Sequence, residues 1–354
     1  MAIVSLTAPE FIQQAANLPV LDVRSPGEYT HAHIPGARSF PLFSDEERAV
    51  VGTLYKQRSR EAAIKAGLDF FGVKMRRMVE EAERIAAAQA NNPKRILVHC
   101  WRGGMRSGAI AWLLDLYGFQ VYTLRGGYKA FRHWVLDLLE HPGKIRVLGG
   151  YTGSGKTDLL QELARKEAPV IDLEALAGHK GSAFGAIGLP AQPSQEMFEN
   201  LLAAGIHNIR LNDPDASIWM EDESQRIGTV NLPQPFWKHF RRQPVLFLDI
   251  PFEARLGYLV STYGVLNRGD LAAAITRIQK RLGGLETKTA LHHLVEGDTN
   301  SCFRILLQYY DKQYGKSLRD RENPASQVTV VPAKLVSATA NASLLTTLTM
   351  NQPV

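Results

Sequence analysis

The chain has 354 residues, of which 45% are hydrophobic and 21% charged, a composition that excludes a disordered protein and indicates a soluble globular one. Its net charge of +6 is too small for a basic nucleic-acid tail but is compatible with a polyanionic partner. No apolar run approaches the roughly 18 residues that span a bilayer, and the N-terminus lacks signal-peptide features, so we expect a cytoplasmic protein without a membrane partner. The two cysteines, Cys100 and Cys302, form neither a disulfide framework nor a zinc-ligand cluster.

The first part of the chain alternates short apolar segments with helical ones. The segments are predicted strands at 18–24, 95–100 and 121–127, a loop with a short edge strand at 31–42, and helices within 45–90 and at 106–118. This alternation predicts a parallel sheet flanked by helices over residues 1–140.

A second domain is predicted over residues 144–354, after a linker at 140–144 that contains Pro142 and Gly143. Its segments are predicted strands at 144–150, 168–174, 216–224 and 244–251, helices at 155–167 and 194–205, and a mostly helical region at 252–319. The tail from residue 336 is small and polar, and we expect it to be loosely ordered.

Residues 150–157, GYTGSGKT, match the phosphate-binding loop G-x-x-x-x-G-K-[ST] between a predicted strand and a helix. The glycines Gly150, Gly153 and Gly155 let backbone amides turn toward a diphosphate or triphosphate. Lys156 is expected to bridge phosphate oxygens, and the Thr157 hydroxyl to bind Mg²⁺.

The acidic partner of that candidate Mg²⁺ is less well defined by the sequence. The candidates are Asp172, Asp249 and the run Glu221–Glu223. We select Asp222 from the run, because the run ends a predicted strand and ligands gather at the carboxyl ends of strands in open α/β sheets.

Cys100 begins a second loop, CWRGGMRSG, which leads into a helix. A cysteine reacts as its thiolate, so a reactive cysteine needs a lowered pKa. The loop glycines permit amides to converge on the sulfur, and Arg102, Arg106 and the helix N-terminus favour negative charge there. Cys302 lies in an apolar helical segment without such a setting, and we expect it to be a core residue.

Three segments, 22–37, 98–107 and 118–131, together resemble the rhodanese family, whose members carry sulfur as a persulfide on the loop cysteine. Five residues separate Cys100 from Arg106, whereas common rhodaneses have four. The wider loop resembles that of cell-cycle dual-specificity phosphatases and some arsenate reductases, and it has room for a tetrahedral oxyanion.

A rhodanese-like half followed by a P-loop half, with HKGSAFG at 179–185 and EDESQRIG at 221–228, is similar to the bacterial tRNA 2-selenouridine synthase family. The resemblance implies an α/β fold, with an N-terminal rhodanese-like parallel-sheet domain followed by a P-loop NTPase-like α/β domain that has a helical C-terminal part.

The resemblance further implies a transferase that modifies the wobble 2-thiouridine of tRNA in two steps. Geranyl diphosphate first alkylates the 2-thio sulfur, and selenium from selenophosphate then displaces the geranylthio group. We therefore expect the loop 150–157 to bind geranyl diphosphate. Cys100, with Arg102 and Arg106, is expected to carry selenium or to bind selenophosphate. The implied partners are the anticodon arm of tRNA and an enzyme that supplies selenophosphate.

Binding of tRNA needs a positive surface with stacking partners. Two segments that combine cations with apolar residues are candidates, and their cations are Lys238, Arg241 and Arg242, and Arg277, Lys280 and Arg281. A solvated helix face is the alternative for both.

Two other functions fit the same motifs. One is a P-loop kinase fused to a rhodanese-like phosphatase or arsenate reductase, which the five-residue spacing and the kinase-like segment VLFLDIPFEARL favour. The other is a non-enzymatic, nucleotide-dependent tRNA-binding protein, against which the intact Cys100 and the intact pair Lys156–Thr157 argue.

Overall fold

The computed structural model describes residues 3–88 and 94–350. The chain folds into two compact units. The first ends at Leu138 and includes Glu199–Leu201, and the second comprises Leu139–Phe198 and the residues from Leu202 onward. Within the described ranges, no helix combines the length and the apolar character needed to cross a membrane.

The first unit is built on a parallel sheet with helices in the connections between its strands. Its elements are β1 Val4–Leu6, α1 Ala8–Ala15, β2 Val20–Asp22, α2 Pro26–His31, β3 Arg38–Ser39, α3 Asp45–Gln57, α4 Arg60–Gly72, α5 Met75–Ala87, β4 Arg95–His99, α6 Met105–Leu116, β5 Gln120–Leu124 and α7 Gly127–Glu140. The strand order is β1-β5-β4-β2-β3, so β4 is the central strand, and it ends at His99, directly before Cys100. The predicted helical region 45–90 becomes three helices, and its residues 89 and 90 lie outside the described ranges.

Serine residues begin the helices α2 and α3 of this unit. The Glu47 carboxylate accepts a hydrogen bond from the Ser44 amide at 2.9 Å, while Ser44 Oγ accepts one from the Glu47 amide at 3.2 Å. Ser25 and Glu28 form the same reciprocal capping box at α2. Such a box satisfies amides that a helix start leaves without partners, and here it also fixes the position of the Glu28 carboxylate.

The second unit has a parallel sheet of strand order β11-β10-β6-β7. Its elements are β6 Ile145–Gly150, α8 Lys156–Arg165, α9 Leu173–Ala177, α10 Gln195–Asn212, β7 Ile218–Glu221, β8 Arg226–Ile227, β9 Val230–Asn231, α11 Gln234–Arg241, β10 Val245–Asp249, α12 Phe252–Tyr263, α13 Arg268–Arg277, α14 Gln279–Leu282, α15 Gly284–Glu296, α16 Thr299–Arg319, α17 Pro324–Gln327, β11 Val328–Pro332 and α18 Ala338–Met350. The fold is α/β with two parallel sheets and a helical C-terminal part, and the predicted fold class is confirmed.

The second unit contains two apolar clusters. One packs α8 and α18 against the sheet, with Leu160, Leu248 and Leu345 fully buried. The other joins α12, α13, α15 and α16, and its members include Leu307 and Cys302, which is 1% exposed. The prediction that Cys302 is a core residue is confirmed.

The prediction of a strand over residues 168–174 is wrong. The segment makes one isolated bridge, from Val170 to Trp219, and the short helix α9 follows at Leu173. Pro169 has no amide to donate to a sheet, and the Asp172 side chain accepts the amide of Ala175 at 2.7 Å, which starts a helix.

The expectation that the tail is loosely ordered is also wrong. Residues 338–350 form α18, which packs on α8 with Ala342 and Leu345 at 0% exposure. The adjacent strand β11, which pairs with β10 in parallel, is absent from the sequence prediction. Leu345 and Leu348 pack in an apolar cluster of this unit, so the segment forms an apolar helix although the small residues around its leucines resemble those of a loop. Residues 351–354 lie outside the described ranges.

Candidate functional site

The Cys100 loop connects β4 to α6, and it brings amides to the cysteine sulfur. Cys100 is 3% exposed, while residues 101–104 are exposed. Its Sγ lies 3.2 Å from Ser107 Oγ. Burial opposes ionisation, but hydrogen bonds from the Ser107 hydroxyl and from the amides of Ser107, Gly104 and Arg102 outweigh it and lower the pKa of Cys100. The loop therefore favours the thiolate, which is the nucleophilic form.

Two glycines are required by the close approach of this loop to the β5–α7 turn. A Cβ at Gly127, where φ is +62°, would lie 2.4 Å from the Cys100 carbonyl oxygen. A Cβ at Gly103, where φ is +64°, would lie 2.6 Å from the Leu124 carbonyl oxygen. The Tyr128 amide donates to the Cys100 carbonyl at 2.8 Å, so the turn holds the start of the loop in place.

The two predicted loop arginines act differently from each other. Arg102 contributes its amide to the sulfur. The Arg106 guanidinium instead pairs with the Glu28 carboxylate, with Nη1 at 2.7 Å from Oε2. Because Glu28 also belongs to the capping box of α2, this pair ties the C-terminal end of the loop to α2 and positions Arg106 at its edge. No motif of the sequence relates Glu28 to this loop, because 78 residues separate it from Arg106.

Several buried polar side chains lie next to the loop, where β2 and β4 end. Arg24, which is 1% exposed, pairs with Asp22 at 2.6 Å and stacks over the Tyr128 ring at 3.8 Å. His99 Nε2 lies 3.7 Å from Asp22 Oδ2, and burial lowers the pKa of His99 to about 4. His99 is therefore neutral near pH 7, and Arg24 is the cation that offsets the Asp22 charge.

The phosphate loop of the second unit has the backbone that its sequence predicts. It connects β6 to α8, and Gly153 and Gly155 adopt φ of +80° and +71°. A Cβ at Gly153 would lie 3.0 Å from the Arg255 carbonyl oxygen, so a larger residue would not fit. Lys156 Nζ donates to the Gly150 carbonyl at 3.0 Å, and the lysine thus reaches back over the loop.

The carboxylate beside Thr157 is that of Glu174, not that of Asp222. Thr157 Oγ1 donates to Glu174 Oε2 at 3.0 Å. Asp222 instead accepts from Arg321 Nη2 at 2.6 Å and from the Tyr314 hydroxyl at 2.7 Å, so both of its oxygens are engaged. The prediction selected Asp222 by its place at a strand end, whereas Glu174 lies on α9, in the segment predicted to be a strand.

Glu223 lies next to Glu174. A Cβ at Gly181 would lie 2.6 Å from Glu223 Oε2 and 2.8 Å from Glu174 Oε1, so both carboxyls face this glycine of the segment 179–185. Burial and the neighbouring Glu174 raise the pKa of Glu223 to about 8, and burial also raises the pKa of Glu174. Of the two carboxyls, Glu223 therefore favours the protonated form, in which it hydrogen-bonds to Glu174.

This donor set fits Mg²⁺. Carboxylate and hydroxyl oxygens are hard ligands, and Mg²⁺ commonly takes one or two carboxylates and completes its shell with phosphate oxygens and water. Thr157, Glu174 and Glu223 would supply the protein ligands. Across residues 3–88 and 94–350, no group of three or more His, Cys, Asp or Glu side chains is arranged as a metal site, so phosphate oxygens would have to contribute.

Helix α16 supports the phosphate loop through Tyr314. Its hydroxyl accepts the Gly150 amide at 3.2 Å and donates to Asp222, and its ring lies 5.7 Å from Lys156 Nζ. The structural role of Asp222 is thus to hold Tyr314 and Arg321 at the start of the loop. No local sequence signal relates Tyr314 to Gly150, because 164 residues separate them.

Arg255 of α12 supports the same loop and is 3% exposed. Its Nη1 donates to the Thr152 carbonyl at 3.1 Å, and its Nε donates to the Ile250 carbonyl at 3.0 Å. Asp311 of α16 accepts from Nη1 and Nη2 at 2.8 Å each. The guanidinium therefore joins the phosphate loop, β10 and the helical part of the unit.

The predicted tRNA-binding cations differ in what they contact. Arg241 is half-buried and donates to the Ser317 carbonyl at 2.8 Å, and Arg242 pairs with Glu322 at 3.1 Å. Arg277 is exposed and donates to the Ala183 carbonyl at 3.1 Å. The remaining three are exposed, and they are Lys238, Lys280 and Arg281. Arg241 is better placed to support α16 than to contact a phosphate backbone.

Two family models match the chain. The model of the tRNA 2-selenouridine synthase AAA domain matches residues 143–331, and the rhodanese-like domain model matches residues 7–133. Named tRNA 2-selenouridine synthases are similar over most of the chain. The chain is 36% identical over 331 residues to that of Shewanella piezotolerans, covering 84% of this chain and 87% of the relative. It is 35% identical over 339 residues to that of Hydrogenovibrio crunogenus, covering 86% and 91%.

The tRNA 2-selenouridine synthase of Nitrosomonas europaea is 39% identical over 254 residues. That alignment covers 70% of this chain and 64% of the relative, so this chain spans just under two thirds of that protein's length.

Proposed function

Because the chain belongs to the tRNA 2-selenouridine synthase family, we propose that it replaces the sulfur of wobble 2-thiouridine in tRNA with selenium, through an S-geranyl intermediate. The proposal rests on one observation, which is that a single chain contains two reactive centres. These are a thiol whose pKa is lowered by converging amides and a complete diphosphate-binding loop. Alkylation with loss of diphosphate needs the second centre, and selenium transfer needs the first.

In the first step, the 2-thio sulfur attacks C1 of geranyl diphosphate. The S–C1 bond forms, the C1–O bond breaks with its electron pair on the diphosphate, and the N3 proton of the base goes to solvent. The amides of residues 153–157 and Lys156, released from the Gly150 carbonyl, stabilise the charge of the departing diphosphate. Mg²⁺, held by Thr157 and Glu174, would neutralise further charge on the diphosphate.

In the second step, Cys100 acts on selenophosphate. Selenium in selenophosphate is already at the selenide level, so placing it on sulfur as a selenosulfide would require a two-electron oxidant. Attack of the thiolate on phosphorus requires none. The S–P bond forms, the P–Se bond breaks, and hydroselenide leaves. Among the two roles expected for Cys100, we therefore propose that of a nucleophile in a loop that binds selenophosphate.

Hydroselenide then attacks C2 of the S-geranyl base. The C2–Se bond forms, geranylthiolate leaves and takes a proton, and the product is 2-selenouridine. Water hydrolyses the phosphocysteine and returns the Cys100 thiol together with phosphate. The amides of Arg102, Gly104 and Ser107 stabilise the sulfur anion at the start and at the end of this cycle.

Because tRNA is a polyanion, the exposed side chains of Lys238, Lys280 and Arg281 are the proposed contacts for its phosphates. Arg242 and Arg277 are also exposed, but they contact Glu322 and the Ala183 carbonyl. An enzyme that makes selenophosphate would be a second partner. We keep the anticodon arm as the proposed contact region, because it carries the wobble base.

The test separates the two steps with purified variants and mass analysis of tRNA nucleosides. Cys100→Ser is expected to geranylate 2-thiouridine and to form no 2-selenouridine. Lys156→Ala is expected to lose geranylation and still to convert tRNA that already carries the geranyl group. Cys302→Ala is the matched control, because burial raises the pKa of Cys302 to about 11 and leaves it unreactive. Full 2-selenouridine formation by Cys100→Ser would refute the assignment.

A further inference from the structure

Helix α6, which follows the Cys100 loop, exposes an apolar stripe. Met105, Trp112 and Leu116 are 54%, 52% and 70% exposed. They are seven and four residues apart, so they fall on one line along the helix. The opposite face, with Ile110, is fully buried in the core. The stripe is therefore a second apolar face on a helix whose first face is already packed.

Two glycines beside this stripe leave open space on the protein surface, and we call the apolar surface around them the trough. A Cβ at Gly104 or at Gly108 would meet no atom within 4 Å. Gly108 lies inside the helix, where glycine is less favourable than alanine, so helix stability does not explain its presence. It leaves open space between Met105 and Trp112, which at 1.5 Å per residue are about 10 Å apart along the axis.

The trough begins at the reactive loop. Gly104 is the N-cap of α6, and its amide and that of Ser107 contact Cys100 Sγ. The exposed residues of the loop include Trp101, which packs against Tyr128 at the mouth of the site. An apolar group that is bonded to a base under attack at this loop would reach the trough without a linker.

We propose that the trough formed by Met105, Gly108, Trp112 and Leu116 binds the geranyl chain of the S-geranyl base during selenium transfer. The inference rests on the proposed function. Geranylthiolate is the leaving group of the second step, and its ten-carbon chain is bonded, through sulfur, to the carbon that hydroselenide attacks. An isoprenoid chain has no charge to pair, so its recognition requires apolar contact area, which this helix face supplies next to the thiol.

Recognition of the geranyl group would also ensure that alkylation precedes selenium transfer. A base with unmodified sulfur lacks the apolar group and gains nothing from the trough, so it does not compete for the Cys100 loop. The surface would thus select the alkylated tRNA as the substrate of selenium transfer.

The test compares two substrates of one reaction, which are tRNA carrying S-geranyl-2-thiouridine and tRNA carrying S-methyl-2-thiouridine. Both lose a thiolate from C2, but only the first has a chain that fills the trough. The variants are Trp112→Ala, which removes apolar area, and Gly108→Leu, which fills the open space. Leu68→Ala is the control, because Leu68 is 57% exposed on α4 of the same unit.

We expect the wild-type protein to have a lower KM for the geranyl substrate. In Trp112→Ala and Gly108→Leu, this KM should rise by about tenfold, while the ratio of the two KM values approaches one. Trp112→Leu should restore part of the preference, because it restores apolar area. Leu68→Ala should keep the wild-type ratio.

Three results would overturn the inference. Retention of the wild-type KM ratio by both α6 variants would refute the trough while leaving the proposed function intact. Equal losses on both substrates would assign the stripe to another occupant, such as the selenophosphate-supplying enzyme or a second copy of the chain. Failure of the wild-type protein to convert the geranyl substrate would refute the proposed function together with the inference.

Discussion

The buried pair Arg255–Asp311 should determine both the stability of the second unit and the shape of its phosphate loop. Arg255 is 4% exposed at its side chain and Asp311 is 22% exposed. Removing one partner of a buried ion pair typically costs about 3–5 kcal/mol, because the other charge stays buried. In Asp311→Ala, water can reach the vacated carboxylate position, so we expect a loss of about 3 kcal/mol in the free energy of unfolding, at the lower end of that range.

The conformation of the phosphate loop should depend on Arg255 more than on Asp311. Arg255→Met removes the donor to the Thr152 carbonyl, whereas Asp311→Ala leaves that hydrogen bond in place. We therefore expect Arg255→Met to weaken binding of inorganic pyrophosphate more than Asp311→Ala does, although both variants lose stability. Urea unfolding followed by circular dichroism measures the free energy of unfolding. Titration calorimetry measures the affinity of the phosphate loop for pyrophosphate.

The same two helices provide a matched control. Glu253 of α12 pairs with Arg304 of α16 at 2.6 Å, but the two side chains are 69% and 41% exposed. Exposed pairs contribute about 0–1 kcal/mol, so Glu253→Ala should have little effect on either measurement. Equal stability losses in Glu253→Ala and Asp311→Ala, or unchanged pyrophosphate affinity in Arg255→Met, would refute the reasoning.

Three further predictions follow from the two sites. Gly127→Ala should abolish selenium transfer, because its Cβ would lie 2.4 Å from the Cys100 carbonyl oxygen, and it should keep geranylation. Mass analysis of tRNA nucleosides measures both products, and the control Gly72→Ala should affect neither, because its Cβ would meet no atom within 4 Å. Ser107→Ala removes a donor that lowers the pKa of Cys100, so the alkaline rise in the rate of selenium transfer should move to higher pH; an unchanged profile would contradict this. The raised pKa of Glu223, about 8 against 4.5, means that the unfolded chain binds fewer protons between these values, so stability should fall as pH rises through this window. Glu223→Gln should reduce this fall, and the raised pKa values of Glu174 and Glu221 should maintain the remainder. Urea unfolding at several pH values measures the difference, and an unchanged slope in Glu223→Gln would contradict the reasoning.

The sequence predicts those parts of the two sites that depend on neighbouring residues. Residues 150–157 are enough to predict the position of the phosphate loop and its positive-φ glycines, although the supporting contacts from Arg255 and Tyr314 come from distant segments. The Cys100 loop is similar, because the amides that contact the sulfur come from positions within seven residues of it. Local chemistry also predicts the central strand β4 that precedes that loop.

The parts that the sequence analysis missed depend on contacts between distant segments. Arg106 was expected to face the sulfur, but its partner Glu28 is 78 residues away and is placed by a helix cap. Asp222 was expected to face a metal ion, but it is taken by Tyr314 and Arg321, about a hundred residues later. An arginine or a carboxylate pairs with the charged or polar side chain that the fold places beside it. The spacing of residues along the sequence does not predict that partner.

The most direct test of the account is reconstitution of the wild-type protein with tRNA that carries 2-thiouridine, in the presence of selenophosphate and with or without geranyl diphosphate. The account predicts 2-selenouridine only when geranyl diphosphate is present, or when the tRNA has been geranylated beforehand. Formation of 2-selenouridine from the unmodified 2-thiouridine without geranyl diphosphate would contradict the central claim that alkylation at the phosphate loop precedes selenium transfer at Cys100.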